Sequence, residues 1–239
     1  MRCSRGMFCR YVLRTTDVAA GREFYANALG LALPDGIADG TALEAWPLHE
    51  RAIAAGAPPH WLGLLAVDDV DVALKGFVDR GAQALAPKLQ AKDGAAFATL
   101  RDPFGSVVGV RAGGSSASDS PVVWHQLHTG DADGAWALYQ PMFGWAHKQT
   151  LEVPKLEGGY RTFAWNAAGA TVGTMGNTAR WPGVHPHWLF HLPVADLDAA
   201  VASVRAHGGT AMSPITLPGG MRLSACEDPQ GAAFGLAQR

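Results

Sequence analysis

The sequence repeats its own pattern of landmarks, and this constrains the fold more than any other feature. The stretches DVAAGREFYANALGL (17–31) and DADGAWALYQPMFGW (131–145) both begin with aspartate and carry a glycine 13 residues later. A second pair, VDDVDVALKGFVDRGAQAL (67–85) and VADLDAAVASVRAHGGTAM (194–212), has an aspartate and a glycine 12 residues apart. Aspartate caps the start of a helix, and glycine commonly ends one. The pattern therefore predicts four helices arranged as two similar pairs.

A third pair of landmarks shows that the whole chain is duplicated. The stretches RDPFGSVVGV and EDPQGAAFGL each place an Asp-Pro-x-Gly turn between two apolar runs, at Asp102 and Asp228. The landmarks keep their order in each half, displaced by 114 residues at the first (131 minus 17) and by 126 at the last (228 minus 102). Residues 113–120 have the composition of a linker. We therefore expect two domains, 7–112 and 121–239, with 113–120 between them.

These motifs resemble one family, the glyoxalase, bleomycin-resistance and extradiol dioxygenase superfamily, also called vicinal oxygen chelate (VOC) proteins. The resemblance rests on the two turns and on YVLRTTDVAAGREFYANALGL, WLGLLAVDDVDVALKGFVDRGA, WHQLHTGDADGAWALYQPMFGW and DLDAAVASVRAHGG. It implies an α+β fold of four βαβββ modules, paired into two VOC-type domains. Each domain would be a curved mixed sheet around a cleft, with its helices outside. The second half is most similar to tandem, two-domain glyoxalase-like proteins.

Composition limits the possible partners. The chain is 48% hydrophobic and 17% charged, has a formal net charge of -2, and has no run of lysine or arginine. Such a chain offers no charged surface for nucleic acid or for an anionic membrane. Three scattered cysteines without metal or redox spacing are typical of a cytoplasmic protein with reduced thiols. We expect a small organic molecule as partner, and a monomer or a homodimer.

The positions at which the family binds a metal carry no metal-ligating side chains in this sequence. The resemblance implies a ligand seven residues before the aspartate that opens each helix, and a glutamate seven residues after the aspartate of each Asp-Pro-x-Gly turn. The residues at these positions are Arg10, Leu62, Gly109, Trp124, Leu189 and Gly235. A divalent ion needs three or four nitrogen, oxygen or sulfur donors. The sequence therefore predicts no metal site of the family type and no cofactor.

Histidines in the second half keep an alternative open. Side chains alternate along a strand, so Trp124, Gln126 and His128 would face the cleft, and His125 would point away. His187 and His191 share the face of Leu189, but four strand residues separate them by about 13 Å. A rebuilt site for zinc, nickel, iron or manganese would need His128 to meet one of them. Otherwise these histidines are hydrogen-bonded cleft or surface residues.

The first half carries two arginines that point to an anionic ligand. Arg14 stands where the resemblance places an arginine of glyoxalase I that helps to hold the glutathione part of its substrate, and Arg10 shares its face. The alternative is an arginine paired with a carboxylate such as Glu44. Glu44 is a candidate catalytic base, or else an exposed residue at a strand end.

The sequence thus predicts a glyoxalase-like protein that binds a small organic molecule in a VOC cleft without the family metal. The alternative is an enzyme, a metal-dependent glyoxalase-type lyase or dioxygenase, with a rebuilt histidine site in the second domain.

Overall fold

The computed structural model describes residues 4–34, 42–91, 93–113 and 121–239. The chain forms two compact units. Unit 1 contains the described residues of 1–9, 63–118 and 124–188, and unit 2 contains those of 10–62, 119–123 and 189–239. Each unit therefore takes residues from both halves of the sequence.

The four predicted helices are present, and each begins after its aspartate. The carboxylates of Asp17, Asp69, Asp131 and Asp196 all accept hydrogen bonds from backbone N–H groups in the first turn of the helix that follows. A short fifth helix, α2, was not predicted. The helices are α1 (Val18–Leu29), α2 (Glu50–Ala54), α3 (Val70–Val78), α4 (Ala132–Phe143) and α5 (Leu197–Ala206).

Left-handed glycines end the first helix of each half, as the spacing predicts. Gly30 and Gly144 have φ of 65° and 72°, a conformation that costs glycine little because it has no Cβ. None of the helices in the described parts of the chain is long and apolar enough to cross a membrane.

The first seven described strands form one mixed sheet. Its order is β2-β1-β3-β7-β6-β4, with β5 paired to β6. The pairs β1–β2 and β3–β7 are parallel, and β6–β7 is antiparallel. These strands are β1 (Phe8–Thr15), β2 (Leu43–Pro47), β3 (His60–Val67), β4 (Gln83–Ala84), β5 (Leu89–Gln90), β6 (Ala96–Arg101) and β7 (Val107–Ala112).

The remaining nine described strands form a second mixed sheet. Its order is β13-β15-β16-β12-β8-β11-β10-β9, with β14 paired to β15. The strands are β8 (Trp124–His128), β9 (Ala146–Leu151), β10 (Tyr160–Ala164), β11 (Gly173–Gly176), β12 (His187–Pro193), β13 (Thr210–Ala211), β14 (Ile215–Thr216), β15 (Arg222–Glu227) and β16 (Ala233–Gln238).

The predicted α+β class is confirmed by these two mixed sheets and their few helices. The module that starts at β8 has the full order of a strand, a helix and three strands. In the modules that start at β3 and β12, two short strands stand in the place of one. The first module differs, because its helix is followed among the described residues by β2 and then by α2. The boundaries at 7–112 and 121–239 stay a prediction, and 114–120 lie outside the described residues.

Unit 2 is organised around a buried tyrosine of α1. The hydroxyl of Tyr25 donates to Asp228 Oδ2 at 3.3 Å and accepts from Trp61 Nε1 at 2.8 Å. The rings of Trp61 and Phe234 also meet the Tyr25 ring edge-on, at 5.3 and 5.2 Å between centroids. Burial raises the pKa of Tyr25 well above its ordinary value, so the phenol stays protonated and can donate.

Unit 1 repeats this arrangement with the corresponding residues of the duplication. The hydroxyl of Tyr139, in α4, donates to Asp102 Oδ2 at 2.9 Å and accepts from Trp188 Nε1 at 3.4 Å. The Tyr139 ring stacks on Trp145, and Trp145 stacks on Phe163 with 4.8 Å between centroids. Each unit therefore contains one buried Trp–Tyr–Asp chain of hydrogen bonds.

We expect Tyr25→Phe and Tyr139→Phe each to lower the free energy of unfolding by about 1–3 kcal/mol, because each leaves a buried carboxylate oxygen and an indole N–H unpaired. Urea denaturation followed by tryptophan fluorescence measures the loss. Tyr160→Phe, which removes a single hydrogen bond from Gln126, is the control and should cost less. Unchanged unfolding in the first two variants would contradict a structural role for these chains.

Candidate functional site

In unit 2, the face of β1 that points away from α1 carries the polar residues. Leu13 Cδ2 lies 3.1 Å from the position that a Cβ would take on Gly21, in α1. Leu13 therefore faces the helix. Because side chains alternate along a strand, Arg10 and Arg14 lie on the opposite face. Glu44 and Trp46 on β2 are the register partners of Val12 and Arg14, so this face holds two arginines, a glutamate and a tryptophan.

The deeper part of this face is a buried ion pair. Arg10 Nε lies 3.9 Å from Glu44 Oε1, and the two side chains are 7% and 1% exposed. Trp46 Nε1 donates to the other carboxylate oxygen of Glu44 at 2.9 Å. The expectation that Glu44 is an exposed strand-end residue is wrong, because β2 runs beside β1 and the Glu44 side chain is buried against Arg10 and Trp46. The alternative drawn from the sequence, in which an arginine pairs with Glu44, applies to Arg10.

Arg14 is different, because no carboxylate in the described residues pairs with it. Its Nη2 donates to the backbone oxygen of Pro47 at 3.1 Å, and its guanidinium carbon lies 5.7 Å from the centre of the Trp46 ring. Its Nε is buried and has no hydrogen-bond partner among those residues. Burial lowers the pKa of Arg14, although an arginine remains charged at neutral pH. The site therefore holds a partly buried positive charge without a protein counter-ion in the described chain.

His60, a residue that sequence reasoning missed, belongs to the same face. Its neighbour Trp61 points to Tyr25 in α1, so His60 points the other way. The pKa of His60 is lowered by burial and by the charge of Arg14, although a hydrogen bond with the backbone of Pro58 opposes this. The sequence carries a signal for it, since the similar stretches PPHWLGL and HPHWLFH place His60 and His187 at corresponding positions, 127 residues apart (187 minus 60).

In unit 1, the polar residues of β8 have defined partners. Gln126 Nε2 donates to the hydroxyl of Tyr160 at 3.0 Å. His128 Nδ1 lies 2.6 Å from Thr178 Oγ1, and its ring stacks on that of His187 with 4.7 Å between centroids. Trp124 is buried, and its Nε1 has no hydrogen-bond partner among the described residues. The structure thus brings His128 and His187 together, whereas His191 belongs to unit 2.

His125, between these residues in sequence, contacts a different set of groups. Its ring stacks on Phe8 and meets Trp165 edge-on, at 5.3 and 4.9 Å between centroids. Its Nδ1 lies 3.0 Å from the backbone oxygen of Val172. A carbonyl oxygen only accepts, so Nδ1 carries the proton. Burial lowers the pKa of His125 to about 4. His125 is therefore a neutral residue of the aromatic core.

Comparison with known proteins agrees with this architecture. The sequence model of the Glyoxalase/Bleomycin resistance protein/Dioxygenase superfamily matches residues 8–110 and 122–236. The chain belongs to this superfamily. CFP32 of Mycobacterium bovis, whose name proposes a glyoxylase, is 30% identical over 243 residues, which cover 94% of this chain and 91% of CFP32.

Solved structures with low sequence identity share the VOC fold. The Mn(II)-bound glyoxalase from Novosphingobium aromaticivorans has a TM-score of 0.67 at 13% identity. The match covers 99% of this chain and 82% of the glyoxalase chain. Homoprotocatechuate 2,3-dioxygenase from Arthrobacter globiformis has a TM-score of 0.66 at 12% identity. The match covers 100% of this chain and 81% of the dioxygenase chain. The predicted VOC fold and the tandem glyoxalase-like resemblance are confirmed.

The residues present do not fit a metal ion at the family positions. A Cβ on Gly109 would lie 2.2 Å from Leu64 Cδ2, and one on Gly235 would lie 2.2 Å from His191 Cδ2. The place where a glutamate would begin is thus filled by a side chain of the neighbouring strand in both sheets. No group of three or more His, Cys, Asp or Glu side chains in the described ranges is arranged to hold a metal.

The lowered pKa of His125 makes stability depend on pH. In the unfolded chain this histidine protonates near pH 6.5, whereas in the folded protein it stays neutral until about pH 4. As pH falls from 6.5 to 4, the unfolded state gains a proton that the folded state does not, so we expect a loss of about 3 kcal/mol from this residue. Urea denaturation at pH 7 and pH 4 measures it. His125→Gln, which keeps an N–H donor, should lose less stability over this range than the parent protein, and an equal loss in both would contradict the assignment.

Proposed function

We propose that this VOC protein binds a small organic acid at Arg14, on the face of β1 and β2 described above. The observation that carries the proposal is the partly buried guanidinium of Arg14, which has no carboxylate partner in the described residues. The neighbouring Arg10 is already paired with Glu44. Among the described residues of this face, Arg14 is thus the arginine that remains available to a ligand.

The energetics of burial favour an anionic ligand over a neutral one. Removing a charged group from water is unfavourable unless an opposite charge or hydrogen bonds compensate, and the lowered pKa of Arg14 reflects that cost. A carboxylate can accept two parallel hydrogen bonds from a guanidinium, which makes this pairing directional as well as strong. The Trp46 ring lies beside the guanidinium and limits where it can move.

Family membership supports a small organic molecule as the ligand class. VOC proteins bind small organic substrates, and Arg14 stands where the family's glyoxalase I has an arginine that contacts its substrate. We propose that this chain keeps that use of the cleft and has lost the family metal. Glu44 is a poor candidate for a catalytic base, because its two oxygens already face Arg10 and Trp46.

Isothermal titration calorimetry with benzoate tests the proposal. We expect Arg14→Gln to weaken benzoate binding at least tenfold, because it removes a charge-assisted hydrogen bond of about 1.5–3 kcal/mol. Arg51→Gln, which changes an exposed arginine of α2 in the same unit, should bind like the parent protein. Equal binding by both variants, or no binding of benzoate by the parent protein, would refute an anion site at Arg14.

A second candidate function is a metal-dependent lyase or dioxygenase that uses His128 and His187. The contact between these two rings favours it. The angle between their planes is only 20°, however, and the nitrogen lone pairs of an imidazole lie in its ring plane. Two nearly parallel rings cannot direct their lone pairs at one ion, so at least one would have to rotate. We therefore propose it only as the alternative.

Metal analysis separates the two candidates. We expect protein purified without a histidine tag and incubated with zinc, nickel, iron or manganese to retain far less than one ion per chain after desalting. The physical reason is the lack of a third ligand near the two histidines among the described residues. One retained ion per chain, lost in His128→Ala and in His187→Ala, would instead support the enzyme.

A further inference from the structure

We infer that His60 accepts a hydrogen bond from the ligand held at Arg14, and that the preferred ligand is therefore an organic acid with a hydroxyl group. The inference rests on the proposed function of Arg14 and makes its ligand class more specific. It concerns a residue of unit 2 that is neither at one of the family's metal positions nor among the ligand-binding residues that the sequence predicts.

The hydrogen bonding of His60 fixes which of its nitrogens can accept. Nδ1 lies 2.8 Å from the backbone oxygen of Pro58. Because a carbonyl oxygen cannot donate, Nδ1 must carry the proton, and in a neutral ring the lone pair is then on Nε2. In the described parts of the chain, no group bonds to Nε2 of His60. The residue is only partly buried, so a ligand can reach it.

The surroundings of His60 keep the ring neutral. Burial and the nearby charge of Arg14 both lower the pKa of His60, which disfavours a second proton at neutral pH. A histidine beside an arginine would otherwise add positive charge to the site. Here it adds a hydrogen-bond acceptor instead.

Arg14 and His60 therefore offer two complementary groups on one face. Trp61 and Leu13 point to α1, so His60 and Arg14 both lie on the face of the sheet away from it. The cation suits a carboxylate, and Nε2 suits an O–H. A simple carboxylate would satisfy only the first group. A site built to bond a ligand hydroxyl rejects the analogue that lacks it, because its own polar group is left unpaired.

The duplication repeats the geometry of this histidine. In unit 1, His187 Nδ1 lies 2.8 Å from the backbone oxygen of His185, the same contact two residues back in sequence. His187 stacks on His128, which occupies the position of Arg14 in the repeat (131 minus 128 equals 17 minus 14). In the second copy this histidine contacts the residue three before the helix-capping aspartate, and in the first copy the charge of the corresponding residue, Arg14, acts on His60. In the first copy that residue carries a permanent charge.

Calorimetry at pH 7.5 with benzoate, 3-hydroxybenzoate and 4-hydroxybenzoate tests the inference. We expect the parent protein to bind at least one hydroxybenzoate about tenfold more tightly than benzoate, equivalent to about 1.4 kcal/mol. His60→Phe should lose this preference and still bind benzoate. His60→Gln, whose amide oxygen can accept near the position of Nε2, should retain part of it. His207→Gln is the matched control and should retain all of it, because His207 is an exposed histidine of unit 2 with Nδ1 on the Ser203 carbonyl.

The outcomes distinguish this inference from the proposed function. Benzoate binding that depends on Arg14, without any preference for a hydroxyl group, would overturn the role of His60 and leave the anion site intact. A preference that survives in His60→Phe would do the same. No binding of benzoate by the parent protein would refute both the role of His60 and the anion site at Arg14. If His60→Phe does not fold, nitrogen-15 NMR of the parent protein decides, since a bound hydroxybenzoate that donates to Nε2 should shift the His60 Nε2 resonance more than bound benzoate does.

Discussion

The buried aspartate of each Asp-Pro-x-Gly turn is the group on which the two units most depend. Asp102 accepts hydrogen bonds from the backbone N–H groups of Phe104 and Ser106 through Oδ1, and from the hydroxyl of Tyr139 through Oδ2. One carboxylate thus shapes its own turn and ties that turn to a helix from the other half of the sequence. A buried carboxylate is tolerated only when its lone pairs are used in this way. Asp228 does the same with Tyr25.

Local sequence patterns predicted the elements well, because the signals that start and stop a helix lie within the helix and its caps. The four helices begin after the four aspartates for this reason. Which segments of the chain make up each unit was not predictable in the same way. Tyr25 and Asp228 are 203 residues apart, and nothing in the surroundings of either residue specifies its partner. The resemblance to a family supplied the modules and an expected pairing within each half, whereas each unit combines residues from both halves of the sequence.

For the candidate site, the sequence could predict only which residues share a face of a strand, because that follows from the alternation of side chains. Alternation predicts different environments for His125 and His128, and in the structure one lies in an aromatic cluster while the other contacts Thr178 and His187. It could not show that Glu44 is buried, because the burial of β2 depends on its pairing with β1. His60 could not be predicted from its own surroundings, because no motif in the first half distinguishes it from His49. Comparison of the two copies, residue by residue, would have found it.

The two filled glycine positions also constrain how this sequence can change. A glutamate at Gly235 requires room that the ring of His191 now takes, and a glutamate at Gly109 requires room that Leu64 takes. Either single replacement places a side chain against its neighbour in a packed interior, and overpacking of this kind typically costs about 1–3 kcal/mol. The neighbour has to move or to become smaller, and a smaller neighbour without the glutamate leaves a cavity with its own penalty. A glutamate at either position therefore requires a matched change on the neighbouring strand, so the two residues of each pair constrain each other as a unit.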